Sequence, residues 1–408
     1  MIPFAPPHID EKIIEAVNEV LRSGWITTGP KTKLFEKQLT AYCGNKATLC
    51  LNSATAGLEI ILRWFGVGKG DEVILPAYTY SATANVVIHT GAKPVFVDIN
   101  KDDFNISMDK VRNAVNKNTK VIMPVDFGGY PCNYDELNRI AEESRKLFVP
   151  NAGNVNQQLL GRVLILSDAA HSLGATYKGK LTGSLTDISV FSFHAVKNLT
   201  TAEGGAIALN LPEPFNNEEV YKYLCIYTLH GQNKDALAKM QKGNWRYDII
   251  EAGYKCNMTD INAAIGIVEL NRYQQILSKR KMVCEKYAYA FSSNSLFELP
   301  VMEVAGETIT SYHLFPLRIR GISELQRDAI MQHIFNNDVA VNVHFIPLPM
   351  LSFYKNLGYD IKDYPVTYDN YSREISLPVF YDINIDQIES VIASVKQAVG
   401  QVLKGVIV

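Results

Sequence analysis

Short apolar runs alternate with segments of helical periodicity over the first half of the chain. The runs are nearly all apolar, which is typical of strands that are buried on both faces of a parallel sheet. The segments between them repeat apolar residues every three or four positions, which predicts amphipathic helices that cover the sheet. The predicted strands are Lys46–Asn52, Val73–Pro76, Pro94–Ile99, Lys120–Val125, Arg162–Ser167, Ser189–His194 and Ala206–Asn210. The predicted helices are Ile9–Arg22, Thr32–Tyr42, Ser53–Phe65, Ser81–His89, Asp109–Val115 and Asp135–Lys146.

The second half of the chain has a different order of elements. A long helix is predicted from Asp260 to about Phe291, and the chain after Thr308 follows the order β-α-β-α. The predicted strands of this part are Tyr312–Ile319 and Ala340–Ile346, and the helices are Ser323–Phe335 and Ile385–Val399. We therefore expect a large domain in residues 1–270 and a smaller α+β domain in residues 271–408, which includes the long linking helix.

One segment interrupts the alternation of strands and helices. Phe148–Gly161 contains one proline, two glycines and three asparagines, a composition that predicts an inserted surface loop. Its role stays open at this point. It is either a neutral insertion or a contact with a neighbouring subunit.

Composition places the chain among ordinary globular proteins. Its 408 residues are 47% hydrophobic and 20% charged, with a formal net charge of −2. Such a balance gives no reason to expect nucleic acid or an anionic membrane as a partner. The six cysteines are scattered without paired metal-ligand spacing, which favours a reducing compartment and no metal site. No apolar run approaches a membrane span and the N-terminus lacks a signal-peptide pattern, so we expect a cytoplasmic protein.

Two charged residues stand just past the ends of predicted strands. Asp168 follows one strand and Lys197 follows the next, 29 residues later. Ligands of parallel sheets bind beyond the carboxyl ends of the strands, and Tyr80 and Gly128-Gly129 also fall there. A lysine amine can form an imine with pyridoxal phosphate (PLP), and a buried carboxylate can keep the pyridine nitrogen protonated. The pair therefore predicts a PLP site in which Lys197 and Asp168 are the catalytic residues.

Four segments resemble the signature segments of the DegT/StrS sugar aminotransferases, which are fold-type I PLP enzymes. They are GWITTGP, PAYTYSATAN, SDAAHSLGA and SFHAVKNLTTAEGG, in this order along the chain. The resemblance covers the chain from about Pro6 to the last helix. It implies an α/β fold with a mainly parallel seven-stranded sheet flanked by helices, followed by a smaller α+β C-terminal domain.

The resemblance also implies a set of cofactor contacts. Tyr80 matches an aromatic that stacks on the pyridine ring, and His171 matches a Gln or His near the ring and its 3′ oxygen. Ser192 matches a phosphate-binding hydroxyl. Ser53-Ala54-Thr55 opens a helix, and because the first turn of a helix has free amides, Ala54 and Thr55 are candidate phosphate ligands. The family has Glu before the Asp where this chain has Ser167, a change that we expect to affect packing.

Other matches concern the partner subunit and the substrate. Lys255 and Asn257 match a loop that reaches the cofactor phosphate of the partner subunit in the family, where the usual pattern is Gly-x-Asn-x-Arg. Either residue could make the contact. A homodimer with shared active sites is therefore expected. Trp25, Thr27 and His344 match positions on the substrate side.

The resemblance implies transamination. The amino donor would be L-glutamate or glutamine, and the acceptor a keto group of a nucleotide-activated sugar in aminosugar or polysaccharide biosynthesis. A 4-keto-6-deoxy sugar on UDP or dTDP is the first choice. The alternatives are a PLP-dependent sugar dehydratase, an aminotransferase for a cyclitol ketone, and a PLP-binding regulator without turnover. Family dehydratases replace the lysine with His, so Lys197 argues against the first alternative.

Overall fold

The computed structural model describes residues 1–233, 246–304 and 307–403. Its main sheet has seven strands: β1 (Ala47–Leu51), β2 (Glu72–Pro76), β3 (Lys93–Val97), β4 (Thr119–Ile122), β5 (Leu164–Asp168), β8 (Ile188–Ser192) and β9 (Gly205–Leu209). They lie in the order β1-β9-β8-β5-β4-β2-β3. All neighbouring strands are parallel except β9, which is antiparallel to both β1 and β8. The predicted mainly parallel seven-stranded sheet is confirmed.

Helices cover both faces of this sheet. In β5, Leu164 and Leu166 pack into the apolar core on one face, whereas Ile165 packs into the core on the other face, because successive side chains of a strand alternate. Consecutive residues of β5 must therefore be apolar, because they face two different cores. The helices of this part are α1 (Glu11–Ser23), α2 (Pro30–Cys43), α3 (Ala54–Trp64), α4 (Ser81–His89), α5 (Met108–Ala114), α6 (Tyr134–Glu143), α7 (Val155–Leu160), α8 (Asn217–Tyr227) and α9 (Asp260–Asn271). Short 3₁₀ turns span Phe127–Gly129 and Ser144–Lys146.

The C-terminal part builds its own core on a second, three-stranded antiparallel sheet, in the order β10-β13-β14. This sheet contains β10 (Phe297–Glu298), β13 (Phe315–Ile319) and β14 (Glu374–Leu377). Its helices are α10 (Tyr273–Ser292), α11 (Glu324–Asn336), α12 (Ser352–Asn356), α13 (Pro365–Arg373) and α14 (Ile385–Val402), with 3₁₀ turns at Leu348–Met350 and Ile361–Asp363. A third sheet joins the two parts through β6 (Thr176–Tyr177), β7 (Lys180–Leu181), β11 (Glu303–Val304) and β12 (Thr308–Ile309). Among the residues that the structure describes, every helix is too short or too polar to span a bilayer.

Two predicted elements of the second half are wrong. Ala340–Ile346 is not a strand, because it makes a single antiparallel bridge, between Asn342 and Ser376. The strand that pairs with β13 in the small sheet is β14, which contains Ser376. The predicted helix from Asp260 to Phe291 is divided at Arg272, which separates α9 from α10. The domain boundary after residue 270 remains a prediction.

The interpretation of Phe148–Gly161 as a surface loop is also wrong, because the segment contains α7 and is tied to α3. The Asn156 side-chain amide donates to the Trp64 carbonyl at 2.8 Å, and that of Gln157 to the Phe65 carbonyl at 2.7 Å. The Asn151 side chain donates to the carbonyl of Gly66 at 3.1 Å. These carbonyls lie at the C-terminal end of α3, where a helix leaves its last carbonyls without intrahelical partners. The insertion thus caps α3.

Gln157 is expected to stabilise the fold through this cap. It is completely buried, and its Oε1 also accepts a hydrogen bond from the Asn151 backbone amide at 2.7 Å. Gln157→Leu leaves the buried Phe65 carbonyl and the part-buried Asn151 amide without this partner, so we expect a loss of about 1–3 kcal/mol in the free energy of unfolding. Urea denaturation measures this loss. Gln158→Leu, at the neighbouring exposed position, is the control and should change stability little; equal losses would show that the cap has no special role.

Candidate active site

A cavity of about 400 Å³ opens at the carboxyl ends of the central strands, between the two parts of the chain. We call it the central cavity. Eight of the predicted site residues line it: Ala54, Thr55, Tyr80, Asp168, His171, Ser192, Lys197 and His344. Because β5 and β8 are parallel neighbours, Asp168 at the end of β5 and the turn after β8 that carries Lys197 reach the same edge of the sheet. The structure therefore brings the predicted acid and amine into one site.

Asp168 is held by hydrogen bonds from two neighbours. The Thr83 hydroxyl donates to Oδ2 at 2.8 Å and the Ala170 backbone amide donates to Oδ1 at 3.2 Å. Only 6% of Asp168 is exposed. Burial raises the pKa of Asp168, whereas the two hydrogen bonds and the charge of Lys197 lower it. Thr83, which the sequence analysis did not single out, orients this carboxylate.

Lys197 is a poorly solvated amine. Burial lowers its pKa to about 8, against the opposing effect of the Asp168 charge. The free-base fraction at neutral pH is therefore much larger than for an exposed lysine, whose pKa is about 10.4. A neutral amine is a nucleophile, so Lys197 suits covalent chemistry with a carbonyl group.

Histidines form one wall of the central cavity. His171 and His313 have ring centroids 4.3 Å apart, and burial lowers the pKa of both well below the usual value. The Nδ1 atom of His171 is buried and has no hydrogen-bond partner within the described parts of the chain. The Asn198 amide donates to the Ser311 carbonyl at 2.8 Å, so its oxygen faces His313 Nδ1 at 2.9 Å as an acceptor. This leaves His313 Nε2 as a hydrogen-bond acceptor.

The N-terminus of α3 forms the opposite wall. Ser53 caps the helix by accepting a hydrogen bond from the Ala56 amide at 3.1 Å, and the cavity-lining Ala54 and Thr55 belong to the first turn. The first turn presents backbone amides without intrahelical acceptors, which suits an anion. A Cβ on Gly205 would lie 2.4 Å from the Ala54 nitrogen, so only glycine lets β9 approach this turn.

The other four predicted residues lie outside the central cavity, in two loops that contact each other. The Asn257 amide donates to the Thr28 hydroxyl at 2.6 Å, and Lys255 is exposed and donates to Asn257. Trp25 donates its indole N–H to the Thr28 carbonyl at 3.1 Å, and Thr27 is exposed.

Asp260 fixes the loop that carries Trp25 and Thr27. Its buried carboxylate accepts hydrogen bonds from the backbone amides of Gly29, Lys31 and Thr32 at 2.8–3.0 Å. These amides lie at the N-terminus of α2, where a negative charge is favourable.

The sequence analysis missed several residues of the central cavity. Phe4 and Ala5 reach it because Ile2 pairs with Val339 at the edge of the C-terminal part. His194 and Glu203, 3.6 Å apart, also line it. His313 comes from the segment before β13. The signal for His194 and Glu203 was their place in the SFHAVKNLTTAEGG segment, whereas only the fold brings Phe4 and His313 to the site.

Known proteins resemble this chain over almost its whole length. The spore coat polysaccharide biosynthesis protein SpsC of Bacillus subtilis is 34% identical over 404 residues, which are 98% of this chain and 97% of SpsC. The PMP-form structure of the putative sugar aminotransferase Spr1654 from Streptococcus pneumoniae superimposes with a TM-score of 0.94 at 45% identity, over 98% of this chain and 100% of that one. The PLP-form structure of Spr1654 superimposes with a TM-score of 0.93 at 43% identity, over 99% of this chain and 100% of that one.

The family profile described as the DegT/DnrJ/EryC1/StrS aminotransferase family matches residues 7–154 and 157–396. The match is interrupted at residues 155 and 156, which belong to α7 in the Phe148–Gly161 segment. The match spans both parts of the fold and all residues that line the central cavity except Phe4 and Ala5. The chain therefore belongs to the DegT/DnrJ/EryC1/StrS aminotransferase family, as its sequence motifs predict.

Proposed function

We propose that this PLP-dependent aminotransferase moves an amino group from L-glutamate or glutamine to a keto group of a nucleotide-activated sugar. A UDP- or dTDP-linked 4-keto-6-deoxy sugar is the preferred acceptor, for aminosugar or polysaccharide biosynthesis. The observation that carries the proposal is the placement of a poorly solvated lysine and a buried carboxylate in one cavity. The similarity to the putative sugar aminotransferase Spr1654, which has been solved in PLP and PMP forms, and to the spore coat polysaccharide biosynthesis protein SpsC supports it.

The residues at the centre of the cavity fit the reactive part of PLP. When bound, the cofactor supplies an electron sink that stabilises negative charge on the carbon next to the amino nitrogen. Asp168 would accept the pyridine N–H and keep a proton on that nitrogen, which compensates the carboxylate for its burial. Lys197 would hold the cofactor covalently and, once released, act as the base that moves a proton at the substrate carbon.

The surrounding walls fit the rest of the cofactor. The amides of Ala54 and Thr55 at the N-terminus of α3, together with the Ser192 hydroxyl, would bind the phosphate. Tyr80, whose ring lies 5.9 Å from that of Phe345 at the cavity, would stack on the pyridine ring. His171 would pair its unpartnered Nδ1 with a polar atom of the ligand.

Gly205→Ala tests the phosphate end of this assignment. The new methyl group would meet the Ala54 nitrogen and the Ser53 carbonyl carbon at 2.4 and 2.5 Å, so the N-terminus of α3 must shift. We expect PLP affinity to fall by about tenfold, as measured by fluorescence titration of the apoenzyme. Gly68→Ala is the control, since the nearest atom to its Cβ is the Thr90 carbonyl oxygen at 3.9 Å. Unchanged affinity in Gly205→Ala would argue against a phosphate at α3.

We further propose that the enzyme is a homodimer in which Lys255 or Asn257 reaches the cofactor phosphate of the partner subunit. Both residues lie outside the cavity of their own chain, and Lys255 is exposed. The exposed apolar side chains of Ile26 and Val196, near the loop and the cavity, also suit a subunit contact. Trp25, Thr27 and His344 would contact the sugar nucleotide.

Hybrid dimers test the shared site. Lys197→Ala and the double variant Lys255→Ala/Asn257→Ala are each expected to be nearly inactive. In a hybrid dimer of the two variants, one site combines an intact Lys197 from one subunit with an intact loop, which carries Lys255 and Asn257, from the other. Mixing the variants should therefore restore part of the activity. The comparison is a mixture of Lys197→Ala with Lys180→Ala, which changes an exposed residue and keeps Lys197 and the loop with Lys255 and Asn257 intact. Its activity shows what a hybrid with an unaltered loop gives. If the mixed variants stay inactive after subunit exchange, each site is built from one chain.

Two spectroscopic steps test the reaction. Adding glutamate or glutamine to the PLP-loaded protein should convert the cofactor to its amine form, seen as a change in visible absorbance, with release of the 2-oxo acid. Adding UDP- or dTDP-ketosugars should then restore the first spectrum. A protein that binds PLP without any response to amino donors is a regulator. One that responds to donors but to no ketosugar has a different acceptor, such as a cyclitol ketone.

A further inference from the structure

A chain of three side chains leads from the core of the C-terminal part to the central cavity. Glu374, the first residue of β14, contacts the Ser376 hydroxyl through Oε1 at 2.5 Å. The same hydroxyl lies 2.9 Å from Nδ1 of His344, which lines the cavity. Glu374 Oε2 accepts a hydrogen bond from the His344 backbone amide at 3.1 Å. Glu374 and Ser376 are completely buried, so protein partners alone determine their hydrogen bonds.

The single hydroxyl proton of Ser376 links the two ends of this chain. Burial lowers the pKa of His344 to about 3, so its ring is neutral and carries one N–H. If Ser376 donates its proton to Glu374, its oxygen must accept from His344 Nδ1. If Ser376 donates to His344 Nδ1, its oxygen must accept from Glu374. The direction of one hydrogen bond therefore fixes the direction of the other.

The charge of Glu374 selects between these two arrangements. An ionised Glu374 can only accept, so Ser376 donates to it, His344 carries its proton on Nδ1, and Nε2 offers a lone pair. A protonated Glu374 donates from Oε1 to Ser376, which donates to Nδ1, so His344 carries its proton on Nε2. The second state holds one more proton than the first, on the Glu374 carboxyl group.

We propose that Glu374 is a positioning residue whose protonation state, relayed through Ser376, decides whether Nε2 of His344 donates or accepts a hydrogen bond in the central cavity. The donor form suits an oxygen atom of the amino acceptor, such as its keto or phosphate oxygen. The accepting form repels the same oxygen. The part that concerns the acceptor rests on the proposed function, whereas the link between Glu374 and His344 does not.

The surroundings of Glu374 allow both charge states. Burial raises the pKa of Glu374 to about 8, against the opposing effects of the hydrogen bonds from Ser376 and the His344 amide and of the charges of Arg327 and Arg318. Arg327 is bonded to Asp328 at 2.6 Å, and Arg318 lies 3.3 Å from Glu298. The buried Tyr78 hydroxyl also faces Glu374. The donor form of His344 therefore prevails below about pH 8 and the accepting form above it.

Glu374→Gln is a nearly isosteric test of the link. Its amide oxygen can accept from the His344 amide, which turns its NH₂ group toward Ser376 and fixes His344 in the Nε2–H form at every pH. ¹⁵N shifts of the His344 ring nitrogens, from about pH 6 to about pH 10, report the tautomer of the holoenzyme without any need for turnover. We expect wild type to change from Nε2–H to Nδ1–H with rising pH and Glu374→Gln to stay in the first form. The same tautomer in both proteins across the whole range would overturn the proposal.

A second variant tests the same link if Glu374→Gln does not fold. Ser376→Ala cuts the relay, so the His344 tautomer should become independent of the Glu374 charge. The control is Glu303→Gln, which removes an exposed carboxylate that lies 3.4 Å from Lys281, outside the relay. It should titrate like wild type. A wild-type pH response in Ser376→Ala, or its loss in Glu303→Gln, would also overturn the proposal.

Kinetics then test the consequence for substrate. In wild type the KM for the ketosugar should rise by about tenfold between pH 7 and pH 9, whereas in Glu374→Gln it should stay constant. Lys197, with its pKa of about 8, affects both half-reactions, so the KM for the amino donor is the internal reference. A tautomer change without any effect on the ketosugar KM leaves the relay intact and rejects the proposed contact with the acceptor.

Discussion

Lys197→Ala is expected to leave the protein folded and to reduce transamination by at least about 10³-fold. The variant loses both the covalent hold on the cofactor and the base that moves the substrate proton. Its folded state should not suffer, because Lys197 is an amine that burial already penalises. Absorbance changes after addition of glutamate, followed in a stopped-flow instrument, measure the first half-reaction directly.

Lys180→Ala is the matched control for this variant, because Lys180 is exposed on β7. It should react like wild type. Thermal unfolding of both variants shows whether any loss of activity reflects loss of the fold. Transamination at the wild-type rate in Lys197→Ala would mean that another group is the base.

Asp168→Asn is expected to lower the rate of the first half-reaction by about 10²- to 10³-fold. A neutral amide cannot stabilise a positive charge on the ring nitrogen, and without that charge the bound cofactor accepts electrons poorly. The Asn side-chain oxygen can still accept from the Ala170 amide, and its NH₂ group can donate to the Thr83 hydroxyl oxygen, so the loop should keep its position. The measurement is the single-turnover rate with glutamate, together with the visible spectrum of the bound cofactor.

Asp126→Asn is the control for the removal of a buried carboxylate. Asp126 accepts hydrogen bonds from the Tyr134 and Ser172 hydroxyls at 2.5 and 2.6 Å and lies outside the central cavity. Its loss should reduce stability without changing the cofactor spectrum. If Asp168→Asn retains the wild-type rate, protonation of the ring nitrogen is not the role of Asp168.

The sequence predicted the parallel sheet well because β2, β4 and β5 are almost entirely buried and fall on the apolar runs Val73–Pro76, Val121–Val125 and Val163–Leu166. The prediction of a strand was wrong where residues alternate between apolar and polar but have no partner strand to pair with. Ala340–Ile346 alternates apolar and polar residues, yet Asn342 alone pairs, with Ser376 of β14. β14 itself has four residues directly after α13 and gave no separate signal.

The centre of the site was predictable because Asp168 and Lys197 each follow an apolar run of the same parallel sheet. Their supporting residues were not, because hydrogen bonds connect positions that are far apart in sequence. Thr83 is 85 residues from Asp168, and Asn198 is 115 residues from His313. The cap on α3 was missed for the same reason, since Gln157 is 92 residues from Phe65.

One measurement tests the central claim most directly, and it needs no substrate. The purified protein is reconstituted with PLP, reduced with sodium borohydride, digested and analysed by mass spectrometry. We expect one phosphopyridoxyl group per chain, on the peptide that contains Lys197. A label on another lysine, or no label on a protein that has bound PLP, would contradict the assignment of Lys197 and with it the proposed active site.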